Sequence, residues 1–413
     1  MLVRHDQRPV HVALYSGIVM ERDAVSNSFL WKLRVLQRLR DRGVPVDVTG
    51  FTQGSDYQDC DIRVTPHIGA LMRDQAFNSA DVHVFEYGMW YELFNALFLI
   101  ERPALVVDHN TTPPELVNDP IVELACDKAI RERHNLHLAS RIATDSEYTR
   151  DLLVDMGFGS ESITVLHLPP NNTDIVHRNH TLSDPSSGNA IELLFVGRLV
   201  KAKGVLDLLE AMTLLWEQDP DLHLTLAGSI QFSQADVLAQ VDLALTQHGP
   251  AGRLSLIGDA TDEAIGRLYG TSDIFVMPSH HEGYCVPVVE ALRSDCFVIG
   301  SDAGNIPTVM GGLGSVYPTG DVPQLAGRIG DLARRVRHAR STGDALVLPT
   351  TRGEMTKPEW NDAVQRHLHD YSLHNFETKF LQIIEDLSPG APERRPGWLT
   401  GALQEPDTSQ RSA

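Results

Sequence analysis

Between Pro278 and Ala291 the chain reads PSHHEGYCVPVVEA, which sets two carboxylates, Glu282 and Glu290, on either side of seven residues. The run before them, Asp273 to Met277 (DIFVM), is short, apolar and β-branched enough for a buried parallel strand. Pro287 sits where a first helical position belongs, since its missing N–H costs nothing there. The order is therefore strand, glycine-bearing loop, helix start, with Glu282 in the loop and Glu290 in the first helical turn. Loop amides and a helix N-terminus favour an anion such as phosphate. Carboxylates beside that anion make sense as acceptors for hydroxyl groups. Phosphate and many hydroxyls together describe a nucleotide sugar.

A second segment supplies the positive charge. Ile191 to Val196 (IELLFV) is another buried-strand run, followed by Gly197-Arg198-Leu199-Val200-Lys201-Ala202-Lys203-Gly204 and an amphipathic stretch from Val205 to Leu215. Lysine occurs only at 32, 128, 201, 203, 357 and 379, so two of the six fall in this one turn beside Arg198. Arginine offers a fork for phosphate oxygens and lysine a compact charge, a pairing suited to a diphosphate. The plainer reading is a solvated basic loop. The glutamate segment further on argues against it.

GRLVKAKG followed about eighty residues later by HEGYCVPVVEA resembles the family-4 retaining glycosyltransferases of the GT-B fold. The resemblance extends over roughly residues 10 to 387 and is strongest from 190 to 320. It continues through Leu224-Thr225-Leu226-Ala227-Gly228, Ile257-Gly258, Tyr269, Asp273, Pro278-Ser279 and Asp302-Ala303-Gly304-Asn305-Ile306-Pro307. Nearer the N-terminus, Asp108-His109-Asn110-Thr111-Thr112-Pro113-Pro114-Glu115 and Ser146-Glu147-Tyr148-Thr149 look like the family's strand-end motifs.

The resemblance implies an α/β protein of two doubly wound Rossmann-like domains facing across a cleft, and transfer of a hexose-type sugar from a UDP- or GDP-sugar to a hydroxyl acceptor with retained configuration. That acceptor would be a glycan, a lipid-linked intermediate or a natural product. Arg198 and Lys203 are then the cations that stabilise the departing β-phosphate, Glu282 holds hydroxyls of the moving sugar, and Glu290 accepts from the ribose. Amides of Gly283, Tyr284, Cys285 and Val286, with Gly17, Gly197 and Gly258, line the donor. His109 contacts the donor sugar or steadies charge at its anomeric carbon. Tyr87, Asn110, Thr111 and Glu115 fall on the acceptor side. No cofactor and no metal is expected, because two side-chain cations do the ion's work. Other uses of the scaffold are a non-catalytic sugar-nucleotide binder, a phosphorylase or an epimerase.

Several residues are weighed against simpler readings. Lys201 is expected to face solvent. His280 and His281 adjoin Glu282, but neighbouring histidines point different ways and HExxH spacing is absent. Asp59-Cys60-Asp61 and Asp219-Pro220-Asp221 mimic an acidic metal motif and read as turns; Gly311-Gly312-Leu313-Gly314 reads as a turn too. His109 could instead be a structural histidine bonded to Asp108 or Asn110. The basic amphipathic stretch Leu30 to Arg42 (LWKLRVLQRLRDR) is either an ordinary domain helix or a dock for an anionic membrane. Four positions depart from the family pattern: the first loop reads Ser16-Gly17-Ile18-Val19 without paired glycines, Pro169-Pro170-Asn171 replaces a proline-asparagine-glycine turn, Thr308 stands where glutamate is common, and Cys285 stands where glycine is usual.

The elements that must position these groups alternate strand and helix. Strands are expected at His11 to Tyr15, Val44 to Val48, Val82 to Phe85, Ala104 to Val107, Ile142 to Thr144 and Ile163 to Leu166, with a helix from Asn27 to Arg42 ended by Gly43. That alternation argues for parallel sheets covered on both faces. The expected organisation is an acceptor-side domain over 1–170, completed by a C-terminal helix at about 371–387; a polar linker at 171–189; a donor domain over 190–370, loop-like from about 338 to 358; and a disordered tail at 388–413. At 413 residues the chain is long enough for two cores. A formal net charge of -20 argues against nucleic acid as a partner. Four scattered cysteines and no long apolar N-terminal segment point to a reduced, cytoplasmic protein with at most peripheral membrane contact.

Overall fold

The computed structural model describes residues 8–20, 23–170, 182, 188–230, 233–388 and 397–404. The chain divides into two compact units, one of Met1–Thr111, Ile121–Leu168 and Leu373–Ala413, the other of Thr112–Pro120 and Pro169–Ser372. The stretch read as a linker, 171–189, falls largely outside the described residues.

The first unit is built on seven strands: β1 (Val10–Val19), β2 (Val46–Ser55), β3 (Ile62–Val64), β4 (Val82–Tyr87), β5 (Ala104–Asp108), β6 (Arg141–Thr144) and β7 (Ile163–Val165). They lie in the order β3-β2-β1-β4-β5-β6-β7, and every pairing is parallel. The second unit holds six: β8 (Ile191–Val196), β9 (Leu222–Gly228), β10 (Leu254–Gly258), β11 (Ile274–Met277), β12 (Phe297–Ser301) and β13 (Ser315–Tyr317). Their order is β10-β9-β8-β11-β12-β13, again all parallel. In each sheet the winding reverses once, between β1 and β4 and between β8 and β11. Ligands of doubly wound sheets bind outside the carboxyl ends of strands at such a reversal.

The sequence reading needs three corrections at this level. Ser16 to Val19 is no loop, because β1 runs through it to Val19, and Gly17 lies inside the strand with its carbonyl accepting from Thr52 Oγ1 at 2.9 Å. Residues 338–358 are not loop-like: a helix continues to Thr342, strands β14 (Val347–Thr350) and β15 (Gly353–Thr356) form an antiparallel hairpin, and a capping box of Thr356 and Glu359 starts the next helix at Lys357. Finally, residues 397–404, inside the stretch expected to be disordered, form a turn and a short helix. Leu399 is buried, and its amide donates to Glu385 Oε1 at 2.6 Å.

The Ala24–Asp41 helix has no free apolar face. Asp23 caps it by accepting from Ser26 N, and Phe29, Leu30, Leu33, Leu36 and Leu39 are all buried. The membrane-docking alternative therefore lacks the exposed face it needs. Among the described residues no helix is long and apolar enough to cross a membrane. Lys32 is buried on this face as well. Its ammonium meets Glu86 Oε1 at 2.8 Å and the rings of Phe376 and Phe380 at 5.4 and 6.0 Å from their centroids. Removing one member of a buried pair strands the other charge, at about 3–5 kcal/mol. Lys32→Ala is expected to destabilise the first unit's unfolding transition by that amount in a denaturant titration, and a loss under ~1 kcal/mol would contradict the pairing.

Candidate active site

The two motifs singled out by type and spacing leave the carboxyl ends of β8 and β11, the strands that flank the reversal in the second sheet. The basic turn folds back as a short 3₁₀ segment at Lys201–Lys203 and ends at Gly204, whose φ of +63° suits a residue without a side chain. A Cβ at Gly204 would stand 1.9 Å from the carbonyl oxygen of Pro278, so nothing larger permits this approach. The amide of His280 donates to Ala202 O at 2.8 Å and joins the two segments. Lys203 Nζ then lies 2.6 Å from Glu282 Oε1, which also accepts from Ser279 Oγ at 2.8 Å. Glu282 is 7% exposed at its side chain, and Lys203 23%. Such a pair is half desolvated and directed, not a flexible surface contact. Among the described residues Glu282 Oε2 has no protein partner.

Arg198 is exposed and forms no ion pair among the described residues. Lys201 instead turns away to Asp236 at 2.8 Å, with both side chains about half exposed. Glu290 is buried, its Oε2 accepting from Tyr269 OH at 3.1 Å. The helix it occupies runs Val286–Arg293, so it begins one residue before Pro287 and places Glu290 at the start of the second turn. The glycine-bearing loop is held from beneath by the 302–307 turn. Asn305 N donates to Glu282 O at 3.0 Å and Asn305 Nδ2 to Tyr284 O at 3.0 Å, while a Cβ at Gly304 would come within 2.1 Å of Glu282 O. At the same strand ends, Gly197 and Gly228 are in close contact, since a Cβ on Gly228 would lie 2.0 Å from Gly197 O. Gly258 ends β10 at the sheet edge, paired in register with Gly228 of β9, and a Cβ there would meet Ile230. Asp273 is a structural anchor, bridging Glu192 N at 3.0 Å and Arg340 Nη2 at 2.7 Å.

Cys285, the departure from glycine, adopts φ +76° and ψ 64°. This left-handed geometry explains why glycine suits the position, and it stores strain on the order of 1–3 kcal/mol in a residue with a Cβ. Its thiol is buried and pushed well above the usual thiol range, first by desolvation and then by Glu282.

In the first unit, His109 and Asn110 follow β5. His109 is 3% exposed at its side chain, with Nε2 at 2.6 Å from Glu86 Oε2 and Nδ1 at 3.4 Å from Asp145 Oδ2. Burial alone would depress its pKa, but the two carboxylates more than offset that and hold it at about 9. Its partners are thus not the neighbours Asp108 and Asn110, as the simpler reading had it. Asp108 accepts from Asn110 N at 3.0 Å and pairs with Arg133 Nε at 3.2 Å. Asn110 sits at φ +59°, its Oδ1 taking Arg133 Nη2 at 3.1 Å and Thr111 N at 2.9 Å. Both groups on Oδ1 are donors, so the amide's Nδ2 is directed elsewhere, and it is buried without a protein partner.

Tyr87 does not take an acceptor-side position. It is fully buried in the core with its hydroxyl on Ala129 O at 2.8 Å, because its place in β4 turns it away from the strand-end loops. Glu115 is exposed in a 3₁₀ turn, and Thr111 is buried. Gly17 packs on Tyr91, whose Cβ would lie 3.1 Å from a Cβ there. Ser146 is a helix cap that accepts from Thr149 N, and Glu147 is drawn down to about 2 by its hydrogen bond to His167. Sequence reasoning missed Lys32, Glu86, Arg133 and Asp145. The available signal was a charged residue on an otherwise apolar helix face or inside an apolar strand.

Among the described residues, Asp59, Cys60 and Asp61 have ligand atoms close enough for a metal ion. Both carboxylates are already taken, by Gln37 at 2.8–3.2 Å and by Arg40 on Asp61 at 2.9 Å. His280 Nε2 is engaged with Asp207 at 2.8 Å.

Residues 183–341 match the family model described as Glycosyl transferases group 1. The chain is 26% identical over 209 residues to the MMP alpha-(1->4)-mannosyltransferase of Mycolicibacterium hassiacum, 49% of this chain and 47% of that one. It is 30% identical over 197 residues to the glycogen synthase of Mycobacterium tuberculosis, 46% of this chain and 45% of that one. The match thus spans less than half the length of these relatives. In three dimensions the chain resembles Anabaena Alr3699/HepE, solved in complex with UDP-glucose, with a TM-score of 0.66 over 91% of this chain and 99% of that one at 17% identity.

Two outcomes follow from this geometry. Cys285→Gly is expected to be tolerated, whereas Cys285→Val, β-branched in a left-handed position, should lower the melting temperature by an amount corresponding to about 2 kcal/mol. His109 has a folded pKa of about 9 against the ordinary histidine value of 6.5, so its contribution is fully present below pH 6.5 and is lost as pH rises through 9. Unfolding free energy measured by denaturant should fall over that window in the wild type and stay flatter in His109→Gln.

Proposed function

For a chain of GT-B fold whose second unit carries a glycosyl transferases group 1 domain, we propose retaining transfer of a hexose-type sugar from a UDP- or GDP-sugar to a hydroxyl acceptor. The observation that carries this reading is the Lys203–Glu282 contact at 2.6 Å, on the two strand-end loops that flank the sheet reversal, with Arg198 exposed on one of them. Diphosphate bears negative charge that grows on the β-phosphate as the bond to the sugar breaks. Lys203, held by Glu282, and the exposed Arg198 are the cations for that charge, and the amides of Gly283 to Val286 at the start of a helix add donors. Glu282 Oε2 is the acceptor left for a sugar hydroxyl, and Glu290 takes the ribose. The UDP-glucose bound by the Anabaena neighbour is in keeping with this ligand class.

In the step we favour, the bond between the anomeric carbon and the β-phosphate oxygen breaks while the acceptor oxygen bonds to the same face of that carbon. The acceptor's proton passes to the departing phosphate oxygen. No residue of the chain becomes covalently attached and no metal takes part. In the alternative, Glu282 is a nucleophile and two displacements give the same anomer. The acceptor is a glycan, a lipid-linked intermediate or a natural product, and Asn110 and Thr111 at the end of β5 are the candidates to hold it. The four free cysteines suit a reducing cytoplasm, where we place the protein.

Incubation with a panel of UDP- and GDP-sugars, reading nucleotide release and the product anomer by NMR, tests the proposal. Lys203→Ala should lose about 10²–10³ in turnover. Glu282→Gln should lose transfer yet still bind nucleotide in calorimetry, and chelator should leave the rate unchanged. An inverted product rules out both routes, and transfer that survives Glu282→Gln removes the role given to this carboxylate.

A further inference from the structure

Behind the turn that follows β5 lies a buried set of ionisable groups that the transfer chemistry does not use. From β4 comes Glu86, fully buried, with Oε1 on Lys32 at 2.8 Å and Oε2 on His109 at 2.6 Å and on Ser28 Oγ at 3.1 Å. From the Ala24–Asp41 helix come Lys32 and Ser28, which also bond each other. The β5 end supplies Asp108 and His109. Asp145 follows β6 at 3.4 Å from His109 Nδ1, and Arg133 pairs with Asp108 at 3.2 Å. Tyr91 adds a hydroxyl, held on Tyr15 O at 3.3 Å and near Glu86.

The charges in this set can be counted. Burial pushes the Asp108 carboxyl up and the Arg133 guanidinium beside it draws it back; with Asp108 ionised, Glu86, Asp108 and Asp145 are three anions, against Lys32 and Arg133 as two cations. A buried cluster avoids a net charge, because an uncompensated ion in a low-dielectric interior costs several kcal/mol. A protonated His109 makes the count three against three. The geometry agrees: Nε2 is hydrogen-bonded to Glu86 at 2.6 Å, and Nδ1, which makes no hydrogen bond within the protein, has Asp145 Oδ2 3.4 Å away, so a neutral ring would face two anions with a single N–H to offer. The raised pKa of about 9 is consistent with both observations.

We propose that Glu86, braced by Lys32, is a positioning residue of the site: it holds His109 as a charged imidazolium that fixes the 108–111 turn instead of exchanging protons with substrate. The turn needs such fixing. Asn110 is held at φ +59°, and its amide Nδ2, unpaired within the protein, is the donor the turn can offer to a substrate oxygen. Loss of the imidazolium charge leaves Glu86 and Asp145 facing one ring as like charges and frees the turn to relax. The catalytic half of this proposal rests on the transferase reading above; the charge state does not.

The test uses the full chain with ¹⁵N-labelled histidine. Long-range proton–nitrogen spectra of His109, assigned with His109→Gln, are recorded from pH 6 to 9.5 for the wild type and Glu86→Gln. A charged ring through pH 8 in the wild type, titrating at least ~1 pH unit lower in Glu86→Gln, is the expected result; one unit is a tenfold change in proton affinity. Nucleotide release from UDP-glucose and GDP-mannose is followed over the same range, and its alkaline limb should begin at lower pH in Glu86→Gln. A neutral ring at pH 7 in the wild type overturns the proposal, and so does a titration that Glu86→Gln does not move. Should Glu86→Gln fail to fold, the wild-type titration alone decides the charge state, and the wild-type rate profile must then fall with the same midpoint. A shifted titration with an unshifted rate profile makes the contact structural only and overturns the positioning role. A charged ring in a wild-type protein that releases no nucleotide from either sugar defeats the transferase reading and reduces His109 to a structural cation.

Discussion

The second unit depends on how closely two backbones can approach at the carboxyl ends of β8 and β11. With Gly204 in a left-handed conformation against Pro278 O, and Gly304 against Glu282 O, no side chain separates the basic turn from the glutamate loop. A Cβ at either glycine would stand 1.9 or 2.1 Å from a carbonyl oxygen, a distance that backbone atoms cannot yield cheaply. Everything chemical follows from that approach. The amide of His280 reaches Ala202, Lys203 reaches Glu282, and residues 79 positions apart share one ion pair. Parallel strands supply the direction, since all their carboxyl ends emerge on one side of a sheet.

The first unit meets its polar demands in a different way. Its strand-end groups are not poised at a surface but sunk among apolar side chains, with Lys32 lying against two phenylalanine rings and Glu86 inside β4. Such groups are tolerable only in complementary sets, because each carries a desolvation cost that its neighbours must offset. Low dielectric makes the set stiff, as each contact is stronger there than in water. Stiffness at a strand end is what a binding turn requires. The two units therefore place polar atoms by different means, backbone crowding in one and buried charge balance in the other.

How much of this was legible in the amino-acid order depends on whether the signal was local. Both sheets could be read from runs such as IELLFV, and the Ile191–Val196 strand was delimited correctly, because apolar β-branched runs between turns have few other uses. The Arg198–Gly204 and Glu282–Glu290 motifs carry type and spacing together, and the structure brings Lys203 and Glu282 into contact. What failed was local pattern with tertiary meaning. Residues 338–358 were expected to be loop-like, but the two glycines within them only end a helix, at Gly343, and turn a hairpin, at Gly353. Tyr87 was placed on the acceptor side as part of a loop, although β4 runs through it and turns it into the core. Lys32 was counted among the lysines but given no role, yet its helical spacing from Phe29 and Leu36 puts it on the buried stripe. Its partner Glu86 lies 54 positions away, and no spacing rule reaches that far.

The first unit is discontinuous in sequence. Its opening portion and the closing segment from Leu373 onward are one body, with nearly all of the second unit's chain between them. Trp31 meets Phe376 edge-on at 5.8 Å, Arg38 pairs with Glu377 at 2.6 Å, and the Lys32 ammonium is walled by Phe376 and Phe380. A nascent chain leaving the ribosome thus exposes the Lys32–Glu86 contact to water on one side until the Leu373–Leu387 helix is synthesised. The later-encoded unit, by contrast, has its whole sheet available some sixty residues earlier, taking the span from Tyr317 to Phe380 as the measure. Translation order and completion order are reversed, and a truncated product ending near residue 370 would carry one finished body and one with an open seam.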